Sequence, residues 1–338
     1  MRKIKIAQIG TSQYSHGSDI FRSLTKQKDV FEVIGYALPE NEREKFPSRM
    51  GVFAGYREMS VEEILNDPEI EAVTVETEEI YLTKYAQMVA DHGKHIHMEK
   101  PGGTSLVGFE KLVETLRKNE KVFHTGYMYR YNPYVKELMK KVKEGELGEI
   151  ISVEAQMNSC SPVINRRWLE HFPGGMMFFL GCHLVDFVLQ IKGIPEKIVP
   201  LNCCTGKHGG DVEDFGMALL QYKSGTSFVK TTADEYGGFA RRQLVVVGTK
   251  GTVEIKPLEM HAPGGLYTEM RACKASDSWT AMGEITQSEI YDRYDAMMAG
   301  FASYVRGDAE NPWGYDYELL LYKTLLKCCG VEMDETDK

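Results

Sequence analysis

The stretch best suited to chemistry is Lys94-His-Ile-His-Met-Glu-Lys100-Pro101, which leads into Gly102-Gly103-Thr104-Ser105. It reads as a buried strand that ends in an acid and a lysine, is broken by proline and is followed by a helix start. An open α/β sheet places ligands at the carboxyl ends of its strands, so Lys100 is the first candidate for a catalytic role. His95, His97 and Glu99 alternate along the same strand and should share one face, which superficially resembles a metal site. No further ligand is spaced to complete a metal shell, and none is expected.

A second candidate follows the first apolar strand. Gly10-Thr-Ser12-Gln13-Tyr14-Ser15-His-Gly17 stands where a dinucleotide fingerprint GxGxxG would lie, but only Gly10 falls in place. Ser12 lets a backbone approach a pyrophosphate less closely than glycine would, and the loop carries about one extra residue before the helix. Gly10, Ser12, Gln13 and Tyr14 are the candidate phosphate contacts. The acid expected at the end of the second strand, to bind a ribose, is absent at Leu38; the nearest carboxylate is Glu40. No basic residue replaces it, so both NAD and NADP stay open.

The elements that must position these residues alternate regularly. Ile4 to Ile9 is an apolar strand, a helix runs from about Ser18 to Lys26, and Phe31 to Leu38 is the next strand. Gly51 to Tyr56 is a candidate short strand, Ser60-Val-Glu-Glu63 has the capping-box pattern, and Ile70 to Thr77 is rich in β-branched residues. Helix Ile80 to His92, strand Lys94 to Met98, helix Ser105 to Lys118 and strand Lys121 to Gly126 complete a Rossmann-like half. Beyond Gly148 the strands lengthen. Glu149 to Met157, Lys197 to Cys204, Phe215 to Tyr222, Thr226 to Ala233, Gln243 to Val247 and Thr252 to Lys256 read as one large, mostly antiparallel sheet. Hairpins fall at Lys223-Ser-Gly225 and Thr249-Lys-Gly251. A helix from Gly175 to Ile191 should cover one face, and two late helices, Ser288 to Arg306 and Tyr315 to Cys329, should pack back on the first half. The fold class is therefore α/β plus α+β: residues 1–126 form a Rossmann-like domain with a parallel sheet, and residues 127–338 a substrate-binding and oligomerisation domain on an open sheet.

Composition narrows the partners. The 338 residues are too many for one ordinary core, and 43% hydrophobic with 26% charged residues suits a soluble globular chain. With 49 acidic against 40 basic side chains the formal charge is -9, and no basic run exceeds two residues, which argues against nucleic acid. No apolar run approaches the roughly 18 residues of a membrane span, and the chain enters a strand without a signal-peptide core, so a cytoplasmic location is expected. The seven cysteines contain no CxxC and read as reduced thiols.

Taken in order, several motifs give the chain a family likeness: Gly93-Lys94-His95 leading to Glu99-Lys100-Pro101, Gly126-Tyr-Met-Tyr-Arg130-Tyr-Asn132-Pro133, Gly145-Glu-Leu-Gly148, Gly174-Gly175, Gly181-Cys182-His183-Leu-Val-Asp186 and Gly248-Thr-Lys-Gly251. The chain resembles the Gfo/Idh/MocA family of glucose-fructose oxidoreductase and inositol dehydrogenase over nearly its whole length. That resemblance implies an NAD- or NADP-dependent oxidoreductase of a sugar, polyol or sugar derivative, assembled as a homodimer or homotetramer through the open sheet face. It places Lys100 beside the nicotinamide and the reacting carbinol, with a cis Lys100-Pro101 bond, where its ammonium would stabilise a developing alkoxide. It matches His183 to the family's active-site histidine, the acceptor of the hydroxyl proton. Thr77, Glu99 and Pro101 join the expected cofactor contacts. Tyr127, Arg130, Asn158, Arg167 and Trp168 join His183 as expected substrate contacts, an aromatic face with amide and guanidinium donors suiting a sugar ring.

Five departures cluster near that site. The family's Asp one helical turn before the histidine is Phe179, which can neither orient an imidazole nor stabilise imidazolium. The frequent Thr-Pro-Asn segment is Thr77-Glu78-Glu79, with Leu82 at the following histidine position; the glycine loop is altered; and Leu38 replaces the ribose acid. Asp186, at i+3 from His183, could partly compensate. Two other readings stay open: a glycoside-processing relative with retained NAD or keto-sugar elimination, and a binding or regulatory protein that has lost turnover.

Overall fold

The computed structural model describes residues 2–207 and 211–332, with the side chains of all but 164 and 165. The chain divides into two compact units, one of Met1–Met128 with Tyr294–Tyr322 and one of Tyr129–Arg293 with the segment from Lys323 onward.

In chain order, the first unit contains β1 (Ile4–Ile9), α1 (Gly17–Lys26), β2 (Phe31–Ala37), α2 (Glu42–Lys45), α3 (Val61–Asn66), β3 (Ala72–Val75), α4 (Glu79–Asp91), β4 (His95–Met98), α5 (Leu106–Lys118) and β5 (Phe123–Thr125). The strands lie in the order β2-β1-β3-β4-β5, and all pairs are parallel. Strand order therefore reverses between β1 and β3, the crevice where open α/β sheets bind ligands. The near-continuous apolar strands follow from burial on both faces: every residue of β3 is buried, as are five of the six in β1. Ser60 caps α3, with the reciprocal Glu63 contact that its sequence promised. The expected strand at Gly51–Tyr56 is instead the end of a 3-10 helix, Pro47–Phe53, followed by a turn through Tyr56, and the helix delivers Phe53 onto Phe21 and Tyr36. A proline at its start and the absence of a partner strand decide against β structure there.

One row of this sheet is polar. Gln8 pairs with Thr74, Thr74 with His97 and His97 with His124 across four adjacent strands, and all four side chains are buried.

The second unit begins with α6 (Pro133–Lys143), which Asn132 caps through the N–H groups of Tyr134 and Val135. Then come β6 (Ile150–Asn158), α7 (Val163–Arg166), α8 (Cys182–Lys192), β7 (Lys197–Pro200), β8 (Phe215–Tyr222), β9 (Gly225–Thr232), β10 (Gln243–Gly248), β11 (Gly251–Ile255), β12 (Met260–Ala262), β13 (Gly265–Tyr267), β14 (Glu269–Lys274) and β15 (Glu284–Gln287). Eight strands form one sheet in the order β15-β14-β11-β10-β6-β9-β8-β7, antiparallel except for the β6–β9 pair. Both anticipated hairpins join neighbouring antiparallel strands. Helix α8 is buried nearly all round and packs on β6 and β9, as a helix apolar on every side must. It is shorter than its sequence suggests, because Met177–Gly181 forms a π-helical turn before it. The short strands β12 to β15 carry too little alternation to be read in advance.

The last helices are α9 (Asp295–Arg306) and α10 (Tyr315–Cys328). Helix α9 starts later than expected and packs on α1 and β1.

Candidate active site

In the first unit the chemistry-bearing residues gather at the carboxyl ends of β1, β3 and β4. Lys100 follows β4 directly, is only 1% exposed, and precedes a cis bond to Pro101, as the resemblance implied. Glu99 beside it is committed within the protein: Oε1 accepts the Lys100 N–H at 2.9 Å, while Oε2 accepts the His16 N–H and meets His16 Nδ1, each at 2.8 Å. Burial pushes this carboxyl up, but the His16 charge and hydrogen bonds, with Lys100, outweigh it and hold Glu99 at about 2. Glu99, expected to touch cofactor, therefore holds the end of the glycine loop against β4.

The loop itself is tightly hydrogen-bonded. Ser12 Oγ accepts from the Tyr14 and Ser15 N–H groups, Ser15 Oγ accepts from those of Ser12 and Gly17, and Glu42 Oε2 accepts from Thr11 N–H. Gly10 has φ +87, and a Cβ there would lie 2.4 Å from Thr77 Cγ2, so Thr77 acts by packing under the loop. Gln13 is exposed and Tyr14 half-buried at the loop tip.

The residues fit a dinucleotide. The loop sits at the switch point, it feeds the N-terminus of α1, and the buried hydroxyls Thr11 Oγ1 and Ser18 Oγ beside it have no hydrogen-bond partner among the described residues. Three buried carboxyls line the same end. Burial raises Glu42 to about 9, against the Thr11 N–H, and Glu79 to about 8, against Lys100; burial and the Glu99 and Glu79 charges raise Glu76 as well. Glu42 and Glu79 thus hold their protons near neutral pH, and the same direction of shift at Glu76 lowers the negative charge of this end, which suits a polyanionic ligand. Glu42 and His16 were not legible as site residues, since their approach to the loop depends on α2 and on the extra loop length. The alternating histidines serve the sheet: His97 Nδ1 lies 2.7 Å from His124 Nδ1, and His95 Nδ1 accepts the Val122 N–H. Among the described residues no group of three His, Cys, Asp or Glu side chains is arranged to hold a metal ion.

In the second unit, His183 is the second residue of α8, in its first turn after the π turn, and is 1% exposed. The ring of Tyr129 meets it edge to face, with centroids 5.0 Å apart and an 88° interplanar angle. Tyr129 is pinned in turn, its hydroxyl donating to Glu259 Oε1 at 2.5 Å and accepting from Arg242 at 3.0 Å. Phe179 lies in the π turn, so it does not stand one regular α-turn before His183; its ring packs edge-on against Trp168 at 4.8 Å. Trp168, expected to offer an aromatic face to substrate, is 9% exposed and clasped between Phe172 and Phe179.

Arg130, expected as a substrate contact, is buried and forms a bidentate pair with Asp186, both bonds 2.9 Å long. The pair fixes the segment before α6 to α8. Asn158, at the end of β6, is fully buried, and neither side-chain polar atom has a partner among the described residues. Arg167 is exposed, while Tyr127, buried at 1%, belongs to the first unit. Tyr129, Arg242 and Glu259 went unread in the sequence because they come together only through the sheet.

Residues 4–127 match the description "Oxidoreductase family, NAD-binding Rossmann fold", and residues 135–254 match "GFO/IDH/MocA C-terminal domain". Scyllo-inositol 2-dehydrogenase (NADP(+)) of Bacillus subtilis is 26% identical over 242 residues, 70% of this chain and 64% of that protein. Trans-1,2-dihydrobenzene-1,2-diol dehydrogenase of Danio rerio is 24% identical over 61% of each chain. The chain thus spans less than two thirds of the length of these curated relatives. A levoglucosan dehydrogenase, solved in complex with NADH and levoglucosan, superposes with TM-score 0.79 over 97% of this chain and 98% of that one, at 16% identity, and so shares the fold. With both halves matched in order, the chain belongs to the Gfo/Idh/MocA oxidoreductase family, its N-terminal half being the NAD-binding Rossmann domain.

Proposed function

We propose that this protein is an NAD(P)-dependent oxidoreductase that moves hydride between a sugar, polyol or sugar derivative and the nicotinamide. The observation that carries the reading is Lys100: a lysine 1% exposed at the carboxyl end of a parallel strand, tied through Glu99 to the glycine loop. A bound nicotinamide supplies the hydride acceptor. Lys100 donates a hydrogen bond to the substrate oxygen and stabilises the alkoxide as it develops. His183 takes the hydroxyl proton, and the Tyr129 ring packs edge to face against its imidazole. Asn158 offers an amide donor and acceptor for a hydroxyl, which suits a polyol. The names of the inositol and levoglucosan relatives support that substrate class.

A homodimer or homotetramer through the open sheet face accompanies this reading, supported by the half-exposed Met217, Leu219, Val245 and Val247, which alternate with buried neighbours on β8 and β10. A cytoplasmic location goes with the seven free cysteines.

The test is to incubate the purified protein with NAD and with NADP against a panel of cyclic polyols and sugars. Reduced nicotinamide should accumulate steadily with at least one of them. A dinucleotide that stays bound through purification, with no net turnover on any sugar, would favour the glycoside-processing alternative.

A further inference from the structure

We propose that Gln8 is a positioning residue for the dinucleotide: its carboxamide clamps the two ends of the phosphate loop together. The side-chain NH2 group donates to Gly10 O and to Gly17 O, each at 3.0 Å, so one amide spans from the first residue of the loop to the first residue of α1. Two carbonyl acceptors fix which end of the amide is nitrogen. The remaining oxygen faces Thr74 Oγ1 at 3.2 Å, which donates to it from the neighbouring strand. All three Gln8 bonds are fully buried, and the residue sits in β1, where an apolar side chain would otherwise pack.

The loop has a specific need for such a clamp. Ser12 stands where a second glycine would let the chain turn tightly, and the serine hydroxyls link Ser12 through Ser15 to Gly17 but make no bond to Gly10, the first residue of the loop. Gly17 is packed so closely that a Cβ would lie 2.9 Å from Glu76 Cβ and 3.1 Å from Thr11 Oγ1. The span from Gly10 to Gly17 is thus set by Gln8 from below and by close packing at its far end. A pyrophosphate held at this loop would meet amides whose spacing Gln8 has already set, and that preorganisation would lower the ordering cost of binding. Thr74 acts through Gln8, which makes it part of the same device.

The proposal rests on the cofactor reading above. Its test titrates the full-length protein with NADH and NADPH by nicotinamide fluorescence, comparing Gln8→Met and Thr74→Val with wild type. Hydrogen exchange across residues 10–17 is followed before nucleotide is added. Gln8→Met should raise Kd for both nucleotides about tenfold and speed exchange in the loop, while exchange in α5 stays unchanged; Thr74→Val should raise Kd about threefold. A Gln8→Met Kd within about twofold of a wild type that binds overturns the clamp and leaves the cofactor reading intact. If Gln8→Met does not fold, an unchanged Kd and unchanged loop exchange in Thr74→Val overturn it instead. A wild type that binds neither nucleotide overturns the cofactor reading and the clamp together.

Discussion

Glu99 grips His16 twice with one oxygen, accepting its backbone N–H and facing its ring Nδ1, both at 2.8 Å. The strand end that carries Lys100 and the entrance of α1 are therefore one piece of structure. Anything that moves the loop moves the carboxylate next to the lysine.

That grip and the buried acids around it act in opposite pH windows. Glu99 is held down at about 2, so its stabilisation is present above the ordinary carboxylate range and is lost as pH falls from about 4.5 toward 2. Glu79 is raised to about 8: the folded protein keeps a proton that the unfolded chain releases, so stability from this site falls as pH rises from about 4.5 to 8. Glu79→Gln should therefore raise the melting temperature more at pH 8 than at pH 5. Equal shifts at both pH values would show that Glu79 is ionised in the fold.

The reactive side chains should be separable from the fold. Lys100→Met and His183→Asn should each lower kcat/KM by about 10²–10³-fold with circular dichroism unchanged, on the scale of losing one preorganised charge stabiliser or one general base. Near-normal turnover in either variant would remove that residue from the mechanism.

Arg130 and Asp186 should behave as structure. Asp186→Ala leaves a buried guanidinium without its carboxylate and should cost about 3–5 kcal/mol in denaturant unfolding, whereas Arg130→Met combined with Asp186→Leu should recover much of that loss. A single variant with wild-type stability and a raised substrate KM would return Arg130 to the substrate.

Asn158 should show the reverse trade. A buried amide without partners costs about 1–3 kcal/mol, so Asn158→Leu should stabilise the free protein while raising KM for the polyol about tenfold or more. Loss of stability in Asn158→Leu would mean that the amide is already satisfied in the free protein.

The parallel sheet and the carboxyl-end lysine were legible because buried strands leave continuous β-branched runs and because proline and glycine punctuate Lys100 so sharply. Gly51–Tyr56 misled, since a short apolar run between turn residues fits a 3-10 helix as well as a strand. Phe179 was judged by α-helical spacing, and a π turn has no signature in the order of residue types. The charge of Arg130 was legible but its ion-pair partner was not, because Asp186 lies 56 positions away. Gln8 carried a signal that could have been read: a carboxamide inside an otherwise apolar strand must find its hydrogen bonds somewhere, and the nearest backbone was the loop.

The most direct test of the central claim is calorimetric titration of the purified protein with NADH and NADPH. Saturable binding of at least one, abolished or strongly weakened by a bulky substitution such as Gly10→Val, is the predicted result. The absence of binding heat with either nucleotide, over a range of temperatures, would contradict the assignment of this chain as a working nicotinamide-dependent oxidoreductase.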